Sequence, residues 1–136
     1  MIVIRNADRR RTETPNGVMT TLASPEQGGT GQVLWRVEMP PGASGPRHAF
    51  DAEQVWTVLD GGATIELDGT PTEVTAGDTI VLPPDVPRRV VADAGHGFAA
   101  IATAPAGTLA YAPGVEVKPG CALPVDGERL APAWIV

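Results

Sequence analysis

Cysteine, histidine and long hydrophobic runs are scarce in this chain, and each shortage excludes a class of protein. The single cysteine, Cys121, cannot form an internal disulfide and has no second thiol for a CxxC redox motif or a zinc knuckle. The apolar start, MIVI, is too short for the core of a signal peptide, and no segment approaches the roughly 18 consecutive apolar residues of a membrane helix. We therefore expect a soluble, cytoplasmic protein that does not bind membranes.

Basic residues are outnumbered by acidic ones. The chain has 10 Lys and Arg against 16 Asp and Glu, a net charge of −6 at pH 7 and a pI of about 4.7. Such a chain repels polyanions, so neither nucleic acid nor an anionic membrane surface is an expected partner. The positive run Arg9–Arg11 is flanked by Asp8 and Glu13 and is interpreted as a solvated arm or turn.

Segments without glycine or proline are mostly short, which leaves little room for helices. The 16 glycines and 14 prolines together are close to twice the roughly 12% that is usual for the pair. The pieces between them are rich in Val, Ile, Thr and Trp and alternate in polarity, which is typical of antiparallel strands. We predict one all-β domain over residues 1–136, a sandwich or closed barrel, with strands at 2–5, 17–23, 32–39, 47–59, 63–68, 72–75, 79–82, 88–93, 98–104 and 108–112.

Glycine-containing dipeptides mark the predicted hairpins. DGG at 60–62 and DG at 68–69 supply residues that tolerate a positive φ between strand-like runs, and AGHG at 94–97 is interpreted in the same way. The last residues, APAWIV, are too apolar to be fully exposed. They are expected to pack on the barrel or on a second subunit.

Two segments, PPGASGPRHAFDAEQVWTVLDGG and AGDTIVLPPDVPRRVV, carry a regular spacing of glycine, histidine and proline. The spacing resembles that of the two signature motifs of the cupins, which it matches at Gly42, His48, Gln54, Gly61, Gly77 and Pro83. The resemblance covers about residues 32–112. It implies a cupin fold, a double-stranded β-helix barrel of the jelly-roll type, with the remaining residues forming arms at its two ends.

The same motifs lack most of the residues with which cupins bind a metal. Of the four ligand positions only His48 keeps a histidine, and Phe50, Gln54 and Arg88 stand at the others. Zinc or iron needs about three imidazole, carboxylate or thiolate donors. A guanidinium about 4 Å from a dication would also cost on the order of 8 kcal/mol at an effective dielectric near 20. We predict no metal and no other cofactor, and we assign the other histidine, His96, to a turn.

By the geometry of the family, the altered ligand positions should meet inside the barrel mouth. His48 is expected to act as an acid or base, Arg88 to bind a carboxylate, phenolate or developing enolate, and Gln54 to orient the substrate. The charge of Arg88 would lower the pKa of His48. Trp35 lies on an apolar strand face that is typical of core packing, but it is kept as a candidate. The expected substrate-binding side chains are Phe50, Trp56, Trp35 and Tyr111.

Three functions are compatible with these residues. The favoured one is a metal-independent cupin enzyme, an isomerase, cyclase or lyase that acts on a small anionic or enolisable molecule, for example in natural-product biosynthesis. The first alternative is a non-catalytic barrel that binds a small ligand. The second is an oxygenase whose metal is held by His48 with water or substrate atoms. Cupin barrels commonly pair through sheet edges and exchanged terminal strands, and the apolar ends MIVI and AWIV fit a homodimer.

Overall fold

The structure, a computed structural model, describes residues 1–112 and 128–136, and their regular secondary structure is almost entirely β. A 3-10 helix, Asn6–Asp8, precedes the first strand, and no helix in the described part has the length and apolarity needed to cross a membrane. The predicted all-β class is confirmed, while Cys121 lies outside the described residues. The strands β1 to β10 are Arg10–Thr14, Gly17–Ala23, Gln32–Met39, Ala49–Phe50, Gln54–Leu67, Thr70–Thr75, Thr79–Leu82, Arg88–Ala92, Phe98–Pro105 and Ala110–Tyr111.

The first sheet is antiparallel and runs in the order β1-β2-β3-β9-β5-β7. The sequence predicted the bounds of β2, β3 and β7 without error, because turn residues flank each of them, and β3 also alternates between exposed and buried positions. In β3, Val33, Trp35 and Val37 are buried in the core. Arg36 and Glu38 lie on the opposite face, where Nε and Oε1 are 2.8 Å apart, as the predicted surface pair requires.

β5 is a single strand of 14 residues that belongs to both sheets. Its first half pairs with β9 and β7, and its second half, from Gly62 onwards, pairs with β6 and β8. Gly61 has a φ of 65°, and a Cβ there would overlap the carbonyl oxygen of Gly97, so a larger residue would not fit at this bend. The predicted hairpin at 60–62 is therefore wrong. These glycines bend a continuous strand from one sheet into the other.

The second sheet is built on β6, β5 and β8 and is extended by segments that are distant in sequence. The predicted turn at 68–69 joins β5 to β6 through two residues of positive φ, Asp68 and Gly69. Beyond β8, the chain forms an isolated antiparallel bridge between Arg88 and His48, which directly precedes β4. β4 and β10 form a separate two-stranded sheet, to which Leu130 of the C-terminal segment bridges. These pairings bring together residues from both motifs and from the end of the chain.

The C-terminal residues pack on the barrel of their own chain. Ile135 is 1% exposed. The hydroxyl of Thr21 donates a hydrogen bond to the carbonyl oxygen of Trp134 at 2.8 Å, and that of Ser24 donates to the carbonyl of Val136 at 3.1 Å. Of the two alternatives left open by the sequence, packing on the barrel is the one observed for this end.

The N-terminal residues do not form the strand that the sequence predicted for them. The predicted strand at 2–5 is wrong, because residues 1–3 are exposed and pair with no strand in the described structure. The first strand instead begins at Arg10, inside the basic run that was interpreted as a solvated arm. Hairpin geometry explains the difference, since Arg10–Thr14 can pair directly with β2 through the short turn at Pro15 and Asn16.

Candidate functional site

A cavity of about 430 Å³ opens between the inner face of the barrel and the two chain ends. All three tryptophans of the chain, Trp35, Trp56 and Trp134, line it. Residues 12–16 of β1 and its turn form one wall, and residues 130–134 of the C-terminal segment form another. The volume lies in the usual range for small-molecule sites, roughly 300–1,000 Å³. The sequence did not predict the walls formed by the chain ends, because both come from segments outside the motifs.

His48 and Arg88 face each other across a strand pair. The backbone N–H of His48 donates to the carbonyl of Arg88 at 2.9 Å, and the N–H of Arg88 donates to the carbonyl of His48 at 2.8 Å. Two residues that are directly opposite in an antiparallel pair project their side chains to the same face, with Cβ atoms roughly 5 Å apart. The backbone therefore holds the imidazole and the guanidinium as neighbours on the inner face.

His48 lines the cavity and has a defined tautomer. Its Nδ1 lies 2.7 Å from the carbonyl oxygen of Pro46, and because a carbonyl only accepts, Nδ1 carries the proton. Nε2 is then the nitrogen with the free lone pair in the neutral ring. Burial lowers the pKa of His48 to about 4, the bond to Pro46 opposes this decrease, and the charge of Arg88 adds to it. The ring is therefore neutral at pH 7.

Arg88 is 2% exposed, and none of its guanidinium nitrogens has a hydrogen-bond partner among the described residues. Burial lowers its pKa to about 10, so the group is still charged at pH 7. Its Cζ lies 4.5 Å from the centroid of the Phe50 ring, in a cation–π contact. Phe50 lines the cavity and Arg88 does not, so the ring covers the cation on the cavity side. Phe50 also meets His48 edge to face, with centroids 4.9 Å apart.

Gln54 is fully buried and holds Trp56 in place. Its Oε1 accepts a hydrogen bond from Nε1 of Trp56 at 3.0 Å, and its Nε2 has no partner among the residues described. Trp56 also stacks on Phe98, with ring centroids 6.2 Å apart. Gln54 does not line the cavity, whereas Trp56 does. The amide therefore fixes the orientation of a ring that a ligand would touch.

Tyr111 lies outside the cavity lining. Its hydroxyl donates to Oδ1 of Asp85 at 2.8 Å, and the guanidinium of Arg129 stacks on its ring at 4.5 Å. Asp85 stands where the second motif has a glycine, and it keeps a φ of 62°, which aspartate tolerates better than most residues. Among the predicted site residues, His48, Phe50, Trp35 and Trp56 line the cavity, Gln54 and Arg88 are buried behind its wall, and Tyr111 joins the C-terminal segment to the loop before β8.

The donor set does not fit the metal that cupin motifs imply. Arg88 and Phe50 stand at two of the four ligand positions, and the cation is directly opposite His48. In the two described ranges, no group of three His, Cys, Asp or Glu side chains could hold a metal ion. A divalent ion would meet one imidazole and a fixed positive charge, which is an unfavourable environment for it.

Comparison with known proteins agrees with the motif spacing. The family model described as Cupin domain matches residues 35–106, more than half of the chain. The polyketide cyclase RemF from Streptomyces resistomycificus is 25% identical, with 77% of this chain and 79% of that chain covered and a TM-score of 0.66. An RmlC-like cupin from Shewanella frigidimarina is 21% identical, with coverages of 79% and 93% and a TM-score of 0.65. No functionally curated protein shows significant similarity.

A third solved structure, KdgF from Halomonas sp., is 20% identical, with coverages of 77% and 94% and a TM-score of 0.64. The similarity extends over most of each chain in all three cases. The predicted cupin β-barrel is therefore confirmed.

Proposed function

Because the chain belongs to the cupin family, we propose that it is a metal-independent enzyme that transfers a proton on a small anionic or enolisable molecule. The observation that carries this proposal is the pairing of a neutral imidazole with a buried guanidinium that has no partner among the described residues. A buried charge without a partner is destabilising. A bound anion would supply the missing charge. An isomerase, cyclase or lyase would each use these two groups.

His48 is the proposed acid and base. Its Nε2 lone pair can accept a proton from a carbon next to a carbonyl group, or from an acidic hydroxyl. The products are an imidazolium ion and an enolate or phenolate, and their mutual attraction raises the pKa of His48 in the complex above its value of about 4 in the free protein. The same imidazolium can then return the proton to a different atom.

Arg88 is the proposed source of positive potential, and it acts across the Phe50 ring. With Cζ 4.5 Å from the ring centroid, an anion stacked on the far side would lie roughly 8 Å from the charge. At an effective dielectric near 20, this attraction is about 2 kcal/mol, or about 30-fold in a dissociation constant. The cation therefore favours the anionic form of the substrate without touching it, the electrostatic role that a metal ion performs in other enzymes.

The relatives support an enzymatic function. RemF is by its name a polyketide cyclase. In general, formation of a carbon–carbon bond next to a carbonyl group needs a base that removes a proton. Its identity of 25% supports a similar reaction class for this chain. Gln54 contributes by holding Trp56, so its proposed role is to position a substrate-binding ring rather than to contact the substrate.

The test uses a simple enolisable ketone, because the natural substrate is not needed to detect proton transfer. Exchange of the α-protons of 2-tetralone in D₂O, followed by NMR, should be faster with the protein than in buffer. His48→Asn keeps an N–H that can donate to Pro46 but removes the base, so it should lower the protein-dependent rate by about 100-fold or more. His96→Asn, in an exposed turn, is the matched control and should exchange like the parent protein. Equal rates in His48→Asn and the parent would refute the acid/base role.

A non-catalytic ligand-binding barrel is the second candidate. The observation that favours it is the low pKa of His48, since a catalytic base is most effective with a pKa near the working pH. An anion that binds to the parent protein, with no exchange of 2-tetralone above buffer, would support this candidate. Exchange that disappears with a chelator and returns with a divalent metal ion would refute metal independence, and consumption of O₂ that depends on added iron would instead support the metal-dependent oxygenase.

We also propose a homodimer. Met1, Ile2 and Val3 are exposed, and an exposed apolar segment of this kind can be covered by a second copy. Light scattering should give about twice the monomer mass of 14.1 kDa. Replacement of Ile2 and Val3 by Ser should shift the mass towards the monomer, and a monomeric parent protein would exclude the dimer.

A further inference from the structure

The walls of the cavity differ sharply in polarity. The inner and C-terminal walls present mainly aromatic and thioether groups: Trp35, Trp56, Trp134, Phe50, Met19 and Met39. Among the side chains that line these walls, His48 is the one that carries a hydrogen-bonding group other than the tryptophan N–H. The remaining polar lining residues, Thr12, Glu13, Thr14 and Asn16, all belong to β1 and its turn.

This distribution allows very few hydrogen bonds to a ligand in the interior. A sugar or sugar acid carries a hydroxyl on nearly every carbon, and each hydroxyl buried against an apolar wall without a partner weakens binding by roughly tenfold. A flat aromatic molecule has no such penalty, because its faces match the tryptophan and phenylalanine rings. The lining therefore selects against polyhydroxylated ligands.

The shape of the site also favours a flat ligand. Gln54 and Phe98 hold the indole of Trp56 from two sides, so this wall is a fixed plane rather than a flexible side chain. A preorganised aromatic surface binds a rigid planar molecule with little loss of side-chain entropy. A cavity of about 430 Å³ accommodates a molecule of roughly three fused rings.

We propose that the ligand of this cavity is a planar, largely apolar aromatic molecule of two or three fused rings with one acidic hydroxyl or enolisable carbonyl group. The aromatic part of this assignment stands on the cavity walls, and the acidic group rests on the proposed function of His48 and Arg88. The body of the molecule stacks on Trp56. The acidic group points towards His48, next to the ring of Phe50 and the positive charge behind it.

The tryptophans provide the measurement, since all three line the cavity and the intrinsic fluorescence therefore reports on this site. The probes are 2-hydroxyanthraquinone, its methyl ether 2-methoxyanthraquinone, and galacturonate. The hydroxy compound should quench the emission saturably, and the ether, which cannot ionise, should bind about tenfold more weakly. Galacturonate should bind at least about 100-fold more weakly than the hydroxy compound. The visible spectrum of the bound hydroxy compound should shift towards that of its anion.

Two variants test whether the hydroxy probe binds in this cavity. Trp134→Ala removes a ring contributed by the C-terminal segment and should weaken the hydroxy probe about tenfold. Leu59→Ala removes an exposed apolar side chain on the outer face and is the matched control, expected to leave the affinity unchanged. Equal affinities for Trp134→Ala and the parent protein would overturn the assignment to this cavity.

The outcomes separate this inference from the proposed function. Galacturonate binding as tightly as the hydroxy probe would refute the aromatic ligand class, while the acid/base roles would still be tested by exchange of 2-tetralone. Equal affinities for the hydroxy compound and its ether, with no spectral shift, would support the aromatic class and refute the role of the anion.

Discussion

A histidine and an arginine occur inside the barrel and again on its outer surface, and the two pairs have very different surroundings. On the outside, His96 lies 3.1 Å from a carboxylate oxygen of Asp93, and Arg36 lies 2.8 Å from one of Glu38. Inside, His48 and Arg88 face each other, and the guanidinium of Arg88 lies against the Phe50 ring without a hydrogen-bond partner among the described residues.

The difference shows which charged residues already have a partner within the protein and which cation is available to attract a ligand. An exposed ion pair contributes about 0–1 kcal/mol, so the outer residues could be replaced at little cost. A buried charge without a counter-ion is destabilising by several kcal/mol in order of magnitude. A buried cation that destabilises the free protein is best explained by the anion that its charge attracts into the cavity.

The largest expected effect is the dependence of stability on pH that His48 produces. Its pKa is about 4 in the folded protein and about 6.5 in the unfolded chain, so the unfolded chain binds the proton more readily. Stability due to this group is complete above pH 6.5 and is lost as the pH falls towards 4. The loss should be about 3 kcal/mol in the free energy of unfolding.

Urea unfolding at several pH values measures this effect. His48→Asn should remove the His48 contribution from the pH profile, and the difference between parent and variant isolates it from the carboxylates. Leu59→Ala, on the exposed side, changes no titratable group and should leave the slope unchanged. A parent profile that is parallel to that of His48→Asn between pH 6.5 and 4 would contradict the burial of a neutral imidazole.

The second effect is an increase in stability when the inner cation is removed. Arg88→Met keeps much of the side-chain volume and contact with Phe50 but removes the buried charge, so the free energy of unfolding should rise by about 2 kcal/mol. Arg36→Met on the outer face should change it by less than about 0.5 kcal/mol. Both are measured by urea unfolding at pH 7. A loss of stability in Arg88→Met would show that the guanidinium has a stabilising partner.

The smallest expected effect is the change of a surface ion-pair energy with salt concentration. The coupling between Arg36 and Glu38, measured by a double-mutant cycle, should be about 0.5 kcal/mol at low salt and should vanish near 1 M, where the screening length is about 3 Å. The preference of the cavity for 2-hydroxyanthraquinone over its ether depends on a buried charge and should persist at that salt concentration. Loss of this preference in 1 M salt would place the source of the potential at the surface.

The sequence predicted a strand well when the strand's own residues mark its ends and its buried face. β2, β3 and β7 are bounded by turn residues, and in β3 buried residues alternate with more exposed ones, so period and boundary agree there. The prediction of a hairpin at residues 60–62 was wrong, because glycines that usually close a hairpin here bend the continuous strand β5 instead. The deciding interaction is the pairing of β5 with β9, which lies some 40 residues further along the chain.

The sequence predicted which residues belong to the candidate site better than it predicted how those residues are arranged. The motif spacing identified His48, Phe50, Gln54 and Arg88, and the structure places all four at the inner side of the barrel. The motif spacing did not show that Phe50 covers Arg88, because that contact depends on rotamers and packing. The contribution of Trp134 to the cavity also depends on how the end of the chain returns to the barrel, which local patterns do not encode.

The continuous course of β5 has a consequence for how the molecule unfolds. A strand shared by two sheets prevents either sheet from opening while the other keeps its hydrogen bonds intact, so the two should melt as one cooperative unit. Amide hydrogen exchange should therefore report similar opening free energies on both sides of Gly61. A bulkier residue at that bend would disturb both sheets at once.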